Sequence, residues 1–276
     1  MTHIGPLEDH DKGLSHDLPV LLNRRRALTV FGSAGLAVVL AGCGGSGSNG
    51  SSGAPAASGN SPSETSSGTG DTIPEETAGP YPGDGSNGVN VLTESGIVRS
   101  DITKSFGEAT GVAGGVPLTL ELTVLNTSKG SAGYEGAAVY LWHCNIDGQY
   151  SLYTDPITEE NYLRGVQEAD GEGLVTFTSI YPGAYFGRWP HIHFEVYPSL
   201  DAATMASGKL RTSQLALPEE ACKIVYETDG YTASAQNREQ TSLDGDNVFS
   251  DGYSLQLATV TGTLEEGLTA TLNVPV

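Results

Sequence analysis

Residues 189–197 read WPHIHFEVY, and this stretch decides both the fold and the candidate site. Side chains alternate between the two faces of a β-strand, so residues two positions apart point the same way. His191 and His193 therefore share one face, while Ile192 and Phe194 point to the other. Imidazole is the commonest metal ligand among the side chains. The stretch predicts a strand that carries a pair of candidate metal ligands on one face.

Further strand-like stretches, bounded by Gly, Asp, Asn and Pro, accompany this one. They alternate apolar and polar residues or are rich in apolar and β-branched residues, and they are 117–125, 137–142, 174–180, 254–260 and 268–274. The one convincing helix runs from Pro218 to about Glu227, with proline in its first turn and acidic residues near its positive end. The pattern predicts an all-β fold, a β-sandwich of mostly antiparallel strands with one or two short helices.

The N-terminus carries a twin-arginine run, NRRRAL at 23–28, followed by a mostly apolar stretch to Ala41. This stretch is short for a membrane span, and its basic flank is typical of a signal peptide. The arginine run resembles the signal of the bacterial Tat route, and the sequence LAGC at 40–43 resembles a lipoprotein lipobox. The resemblance implies that residues 1–43 are a signal segment and that Cys43 is lipidated. The alternative is an ordinary signal peptide with a coincidental cysteine.

The signal segment is followed by a change in composition. Residues 44–71 are rich in Gly, Ser, Ala and Thr and have almost no bulky apolar residue, which predicts a flexible linker. Residues 72–276 are long enough for one domain with its own core. We therefore expect an exported domain, tethered by lipid to the outer face of the cell membrane.

The formal net charge of the chain is −20. A strongly negative field argues against nucleic acid or an anionic membrane surface as a partner. Membrane contact is therefore expected only through the lipid anchor at Cys43. An oligomer is compatible with the sequence, which does not define one.

Three cysteines are present in the chain. If Cys43 carries lipid, Cys144 and Cys222 remain as a pair. Outside the cytoplasm such a pair favours a disulfide. The alternative is two buried free thiols.

Two tyrosines are candidate partners of the histidine pair. Tyr150 follows the turn-forming residues 147–149, and Tyr185 lies six residues before His191. Phenolate is a hard, anionic donor, and a highly charged cation lowers the pKa of a phenol. Two phenolates with two imidazoles favour Fe(III) over softer metals. The alternative is that both tyrosines are ordinary packing residues.

Several motifs together resemble the intradiol ring-cleavage dioxygenases. They occur in family order at 76–81, 99–102, 142–151, 179–185 and 188–194. The resemblance runs from about residue 76 to 218. It implies a non-haem Fe(III) centre bound by Tyr150, Tyr185, His191 and His193. It also implies an electrostatic role for Arg188, whose alternative is a structural ion pair.

The resemblance further implies a reaction and additional active-site residues. A catechol-type substrate would be cleaved by O2 between its two hydroxylated carbons to a cis,cis-muconate-type product. Tyr185 would leave the iron and accept a substrate proton, and Gln214 would be an active-site glutamine. Trp142 is expected in the core, and His143 is expected near solvent or behind the ligands. Only Phe186 and Gly187 separate Tyr185 from Arg188, a shorter loop than in catabolic members, so the substrate itself is not defined.

Two other classes of function remain open from the sequence. One is a non-catalytic lipoprotein that binds an aromatic molecule or a ferric catecholate. The other is a zinc hydrolase that uses the same histidines. A visible spectrum with metal analysis distinguishes a coloured, tyrosinate-bound ferric protein from a colourless zinc hydrolase, and inertness of a coloured protein toward catechols in oxygen indicates the non-catalytic binder.

Overall fold

The computed structural model describes residues 71–276. The predicted signal segment, with its twin arginines and Cys43, and the linker up to residue 70 lie outside the described residues. No helix in the described part is both long and apolar enough to span a membrane.

Short strands dominate the described chain, joined by loops and a few helical turns. The strands are β1 (Pro117–Asn126), β2 (Ala132–Gly133), β3 (Ala138–Trp142), β4 (Arg164–Glu168), β5 (Leu174–Ile180), β6 (His191–Tyr197), β7 (Arg211–Ala216), β8 (Thr259–Thr263) and β9 (Gly267–Pro275). The helices are α1 (Glu219–Tyr226) and α2 (Thr232–Arg238). Single turns of 3₁₀ helix lie at Thr127–Lys129, Leu200–Ala202, Ala206–Gly208, Leu243–Gly245 and Phe249–Asp251.

The strands form two sheets. The first has the order β2-β1-β9-β8, with β5 also paired to β1. The second has the order β4-β3-β6-β7. All pairs are antiparallel except β1 with β9. The prediction of an all-β sandwich, mostly antiparallel and with two short helices, is confirmed.

The main core contains the inner faces of both sheets. Along β1 every second residue is buried, which is the pattern of a strand with one face in a core. Leu120 and Leu122 of β1 belong to the same apolar cluster as Ile192 and Phe194 of β6. The apolar alternation of the two strands therefore fixes which face of each sheet turns inward.

Strand β6 is buried over all seven residues, so both of its faces are covered. The face opposite the main core carries His191 and His193. In the sheet register, His193 lies between Trp142 of β3 and Gln214 of β7. The fold therefore places the histidine pair in the middle of the second sheet, beneath the loops that cover its outer face.

The structure corrects the predicted strand at 254–260. Only its last two residues belong to β8. A strand with one face in the core would bury Leu257 and expose Gln256. The structure shows the reverse, since Gln256 is fully buried and Leu257 is 36% exposed. The helix predicted from Pro218 is present as α1. Strands β2 and β4 and helix α2 were not predicted, and β7 was expected only as a strand around Gln214 without bounds.

The predicted disulfide between Cys144 and Cys222 is wrong, since both residues are buried free thiols. Cys144 packs beside Tyr150 in a cluster on the outer side of the second sheet, and its Sγ lies 3.4 Å from the carbonyl oxygen of Gly183. Cys222 lies on α1 in the main core, where its Sγ is 3.1 Å from the hydroxyl of Tyr181. The two thiols therefore belong to different clusters and have different partners.

Candidate metal centre

Four potential donor atoms converge on the outer face of β6. The hydroxyl oxygens of Tyr150 and Tyr185 are 3.4 Å apart. The Tyr185 hydroxyl is 3.1 Å from Nε2 of His191, which is 3.1 Å from Nε2 of His193. Three of the four side chains are buried, and Tyr185 is partly buried. The structure thus brings together the four residues that the sequence singled out, although they come from three separate segments.

His191 is held in the tautomer that binds metals through Nε2. Nδ1 of His191 lies 2.5 Å from the carbonyl oxygen of Trp189, which only accepts, so Nδ1 carries the proton. Nε2 then presents its lone pair to the site, as in histidines whose second nitrogen is fixed by an outer partner. Burial lowers the pKa of both His191 and His193 well below the ordinary value, and the charge of Arg188 lowers each pKa further. Both rings are therefore neutral at physiological pH.

A tight turn positions Tyr150. The side-chain oxygen of Asn145 accepts hydrogen bonds from the backbone N–H groups of Asp147, at 3.0 Å, and Gln149, at 2.9 Å. Gly148 adopts φ +76°, and a Cβ at this position would lie 2.9 Å from Cβ of Tyr185. Glycine is needed both for the left-handed backbone and for the close approach of the two tyrosine-bearing segments.

Helix α2 fixes the segment that carries Tyr185. The hydroxyl of Ser234 accepts from the backbone N–H of Ala184 at 2.9 Å, and the side-chain amide of Asn237 donates to the Ala184 carbonyl at 2.9 Å. Both backbone groups next to Tyr185 are thus tied to α2. These supporting residues were not predicted, because the short polar sequence of α2 has no clear apolar periodicity.

Both phenols are protonated in the absence of a cation. Burial raises the pKa of Tyr185 to about 12 and that of Tyr150 well above its ordinary value. The charge of Arg188 acts in the opposite direction on both groups. A bound cation is therefore required to turn these phenols into anionic ligands near neutral pH.

Arg188 and Gln214 lie beside the four donor atoms. Nη1 of Arg188 is 3.4 Å from Nε2 of His191, and Nη2 donates to the side-chain oxygen of Gln214 at 2.6 Å. Gln214 in turn donates to the backbone carbonyl of Thr77 at 2.8 Å. Arg188 also forms a buried ion pair with Asp246, at 2.9 Å, so the ion pair considered as its alternative role is present, although the sequence did not indicate its partner.

Two residues of β3 and its following loop support the site from behind. Trp142 is fully buried, as expected, and stacks on His193. His143 is also buried, contrary to the alternative of a solvent position. Its Nδ1 donates to the Cys144 carbonyl at 2.8 Å, and its Nε2 accepts from the Ser179 hydroxyl at 2.7 Å.

The donor set fits the ferric ion that the sequence resemblance implies. Ligands about 2.0–2.1 Å from a metal lie about 3 Å apart at right angles and about 3.4 Å apart in a tetrahedron. The three separations between successive donors, from Tyr150 through Tyr185 and His191 to His193, are 3.1–3.4 Å and fall in that range. Phenolate oxygens suit a hard, highly charged cation. Among residues 71–276, no group of three or more His, Cys, Asp or Glu side chains is arranged to hold a metal.

Solved structures with the same fold are known. An intradiol ring-cleavage dioxygenase from Tetranychus urticae matches with a TM-score of 0.59 and 24% identity, over 74% of this chain and 94% of that one. A second dioxygenase structure matches with a TM-score of 0.57 and 24% identity, over 75% and 94% of the two chains. No family model matches the sequence. The described domain therefore has the fold of the intradiol ring-cleavage dioxygenases.

Proposed function

We propose that the protein is a non-haem Fe(III) dioxygenase that cleaves a catechol-type ring between its two hydroxylated carbons. The observation that carries this proposal is the convergence of two phenol oxygens and two imidazole nitrogens at separations of 3.1–3.4 Å. The likeness of the fold to intradiol dioxygenases supports it. When bound, ferric iron would supply Lewis-acid activation of a chelated catecholate toward O2.

Side chains of the site would bind the metal, accept the substrate proton and stabilise developing charge. Tyr150, His191 and His193 are buried and anchored, which suits permanent ligands. Tyr185 is partly exposed next to the very short loop that ends at Arg188, which supports a role for its phenolate oxygen in accepting a proton from an arriving catechol. Nη1 of Arg188 faces the donor cluster, where its charge would stabilise negative charge that develops on the substrate.

Metal analysis, a visible spectrum and oxygen uptake test the proposal together. We expect iron in the purified protein, a visible phenolate-to-iron band, and catechol-dependent O2 consumption that yields a ring-opened diacid. Tyr150→Phe and His193→Ala should lower iron content or shift the band. Tyr153→Phe removes a neighbouring phenol that bonds Asn87 rather than the donor cluster, and should leave the band unchanged.

The same measurements distinguish the competing functions. A coloured iron protein that consumes no O2 with any catechol would indicate a non-catalytic binder. A colourless zinc protein with hydrolytic activity would indicate the hydrolase. Retention of both iron and the visible band in the two ligand variants would contradict the assignment of the site.

The short loop beside the site supports a substrate larger than catechol. Phe186 is 71% exposed, and Gly187 lines an open groove of about 430 Å³ with residues 239–242 and Gly245. We propose that a substituent on the catechol ring extends toward this groove, because Gly187, which lines it, is next to Arg188 in the chain. Higher kcat/KM for ring-substituted catechols than for catechol supports this extension of the proposal, and the reverse order contradicts it.

We also propose that the protein is exported and lipid-anchored, from the sequence of residues 1–43 alone. Stable anchoring requires more than one acyl chain, as bacterial lipoproteins carry. Cys43→Ser should therefore release the protein from the membrane fraction, and Arg25→Lys with Arg26→Lys should block export. A Cys43→Ser protein that stays in the membrane fraction would contradict the anchor.

A further inference from the structure

A carboxylate far along the chain holds Arg188. Asp246 is fully buried and follows the 3₁₀ turn at Leu243–Gly245, 58 residues after the arginine. One of its oxygens accepts from Nε of Arg188 at 2.9 Å and from the backbone N–H of Trp189 at 2.7 Å. The other accepts from Nη2 of Arg188 at 3.3 Å.

The carboxylate of Asp246 is itself fixed by its own segment. The oxygen that meets Nη2 of Arg188 also accepts from the backbone N–H groups of Val248, at 2.8 Å, and Phe249, at 3.3 Å. The side chains of Val248 and Phe249 are buried against Trp189. The Asp246 carboxylate, which is held by its own segment, therefore fixes both the guanidinium of Arg188 and the backbone N–H of the next residue, Trp189.

This arrangement leaves only one end of the guanidinium free to face the site. Nε and one side of Nη2 are directed to Asp246, and Nη2 also donates to Gln214 at 2.6 Å. Nη1, the remaining nitrogen, lies 3.4 Å from Nε2 of His191. A two-point contact between guanidinium and carboxylate fixes orientation as well as position. Without Asp246, the planar group would keep its hydrogen bond to Gln214 and its contact with the Phe249 ring, but would lose this two-point restraint.

We propose that Asp246 is a positioning residue that keeps Nη1 of Arg188 directed toward the four donor atoms, where the substrate would react. The inference rests on the proposed dioxygenase function, because it concerns the charge that Arg188 presents to the substrate. Asp246 does not touch the donor atoms and acts through Arg188. Its loss should therefore slow the reaction while leaving the four ligands able to hold iron.

A double-mutant cycle on the full chain tests this inference. Asp246→Asn should keep wild-type iron content and visible band but lower kcat at least tenfold. Arg188→Gln should lower kcat by at least as much. The double variant should be no slower than Arg188→Gln alone, because coupled residues do not add. Additive losses, or an unchanged kcat in Asp246→Asn, would overturn the proposal.

Lys209→Met is the matched control for breaking a buried ion pair. Lys209 bonds the buried Glu195 of β6 at 2.8 Å, and the hydrogen-bond partners of this carboxylate within residues 71–276 are Lys209, Tyr197 and Thr212 rather than the four donor residues. The control should lower the melting temperature and leave kcat unchanged. If Asp246→Asn behaves in the same way, its role is structural only. If Asp246→Asn does not fold, Asp246→Glu replaces it: the longer acid keeps the charge but displaces the guanidinium, so kcat should still fall with iron retained.

A measurement without turnover separates this inference from the proposed function. In iron-free, ¹⁵N-arginine-labelled protein, Nε–H of Arg188 should exchange slowly, with its resonance assigned by loss in Arg188→Lys. The resonance should shift and exchange faster in Asp246→Asn. If it does so while the wild-type iron protein consumes no O2, the proposed function fails and the positioning contact stands. An unchanged resonance would refute the contact regardless of activity.

Discussion

The indole of Trp142 lies parallel to the imidazole of His193, with ring centroids 4.9 Å apart and planes at 6°. The two residues are opposite one another on adjacent strands, which brings their side chains together on the outer face of the second sheet. Nδ1 of His193 is buried and has no hydrogen-bond partner within residues 71–276. The plane of this imidazole is therefore set by stacking, whereas His191 is set by a hydrogen bond.

Loss of this stacking should weaken metal binding. Trp142→Leu should lower the iron affinity of the protein by about 10–100-fold, the usual effect of losing a group that orients a ligand. Trp142→Phe, which keeps an aromatic face, should have a smaller effect. Iron titration of the metal-free protein measures both. Phe177→Leu serves as control, because Phe177 is fully buried in the main core and should affect stability alone. Equal affinities in Trp142→Leu and wild type would contradict the prediction.

Gly148 offers a test of how closely the two tyrosines must approach. Gly148→Ala places a Cβ 2.9 Å from Cβ of Tyr185, so the tyrosine must shift and iron content should fall. Gly130→Ala is a matched control, since Gly130 has φ +71° but nothing within 4 Å of the added Cβ. Both substitutions strain the left-handed backbone by about 1–2 kcal/mol. Elemental analysis should show iron loss in Gly148→Ala only.

His143 should make the metal-free protein sensitive to acid. Burial lowers the pKa of His143 from 6.5 to about 4. As pH falls, this imidazole is therefore protonated in the unfolded chain before it is protonated in the native state. Stability attributable to His143 is therefore present above pH 6.5 and is lost as pH falls toward 4, by up to about 3 kcal/mol. Urea unfolding at pH 7 and pH 4.5 should show a smaller difference for His143→Gln than for wild type.

The pH dependence of His143→Gln should not vanish, because the pKa values of His191 and His193 are lowered in the same direction. The comparison between the two pH values removes any constant cost of the substitution itself. An identical difference in His143→Gln and wild type would show that His143 titrates alike in both states.

The two cysteines of the domain should titrate as free thiols. In a Cys43→Ser chain we expect no reaction with a thiol reagent in the native state at pH 8, because both thiols are buried and burial raises each pKa to about 12. Unfolding without a reductant should release two reactive thiols. If no reactive thiol were found after unfolding, Cys144 and Cys222 would be joined by a disulfide, contrary to the structure.

Local patterns predicted the histidine pair, whereas the choice of Tyr150 and Tyr185 from among the tyrosines depended on the family resemblance. Alternation alone places His191 and His193 on one face of β6, and the turn residues before Tyr150 mark its loop. The bounds of β7 could not be read from its sequence, RTSQLA, because it is mostly polar, yet Thr212, Ser213 and Gln214 are buried against polar partners. A strand that buries hydrogen-bonding side chains does not show alternating apolar residues, so the apolar pattern of the sequence does not reveal it.

Asp246 could not be found from the sequence for a different reason. It lies 58 residues from Arg188, and its neighbourhood resembles any acidic surface loop. Only the burial of Val248 and Phe249 against Trp189 brings its carboxylate inward. The disulfide prediction failed similarly, because pairing by elimination contains no information on which cluster each thiol joins.

Because all seven residues of β6 are buried, an error in the pairing register of this strand would also disrupt the candidate metal centre. A slip of the strand by one residue would turn Ile192 and Phe194 outward and push both imidazoles into the apolar interior. Such a mispaired chain could not assemble the donor set and would also bury two unpaired polar rings. Mispaired molecules should therefore be eliminated by their own instability, so that the chains that survive folding are those in which the ligands already face the right way.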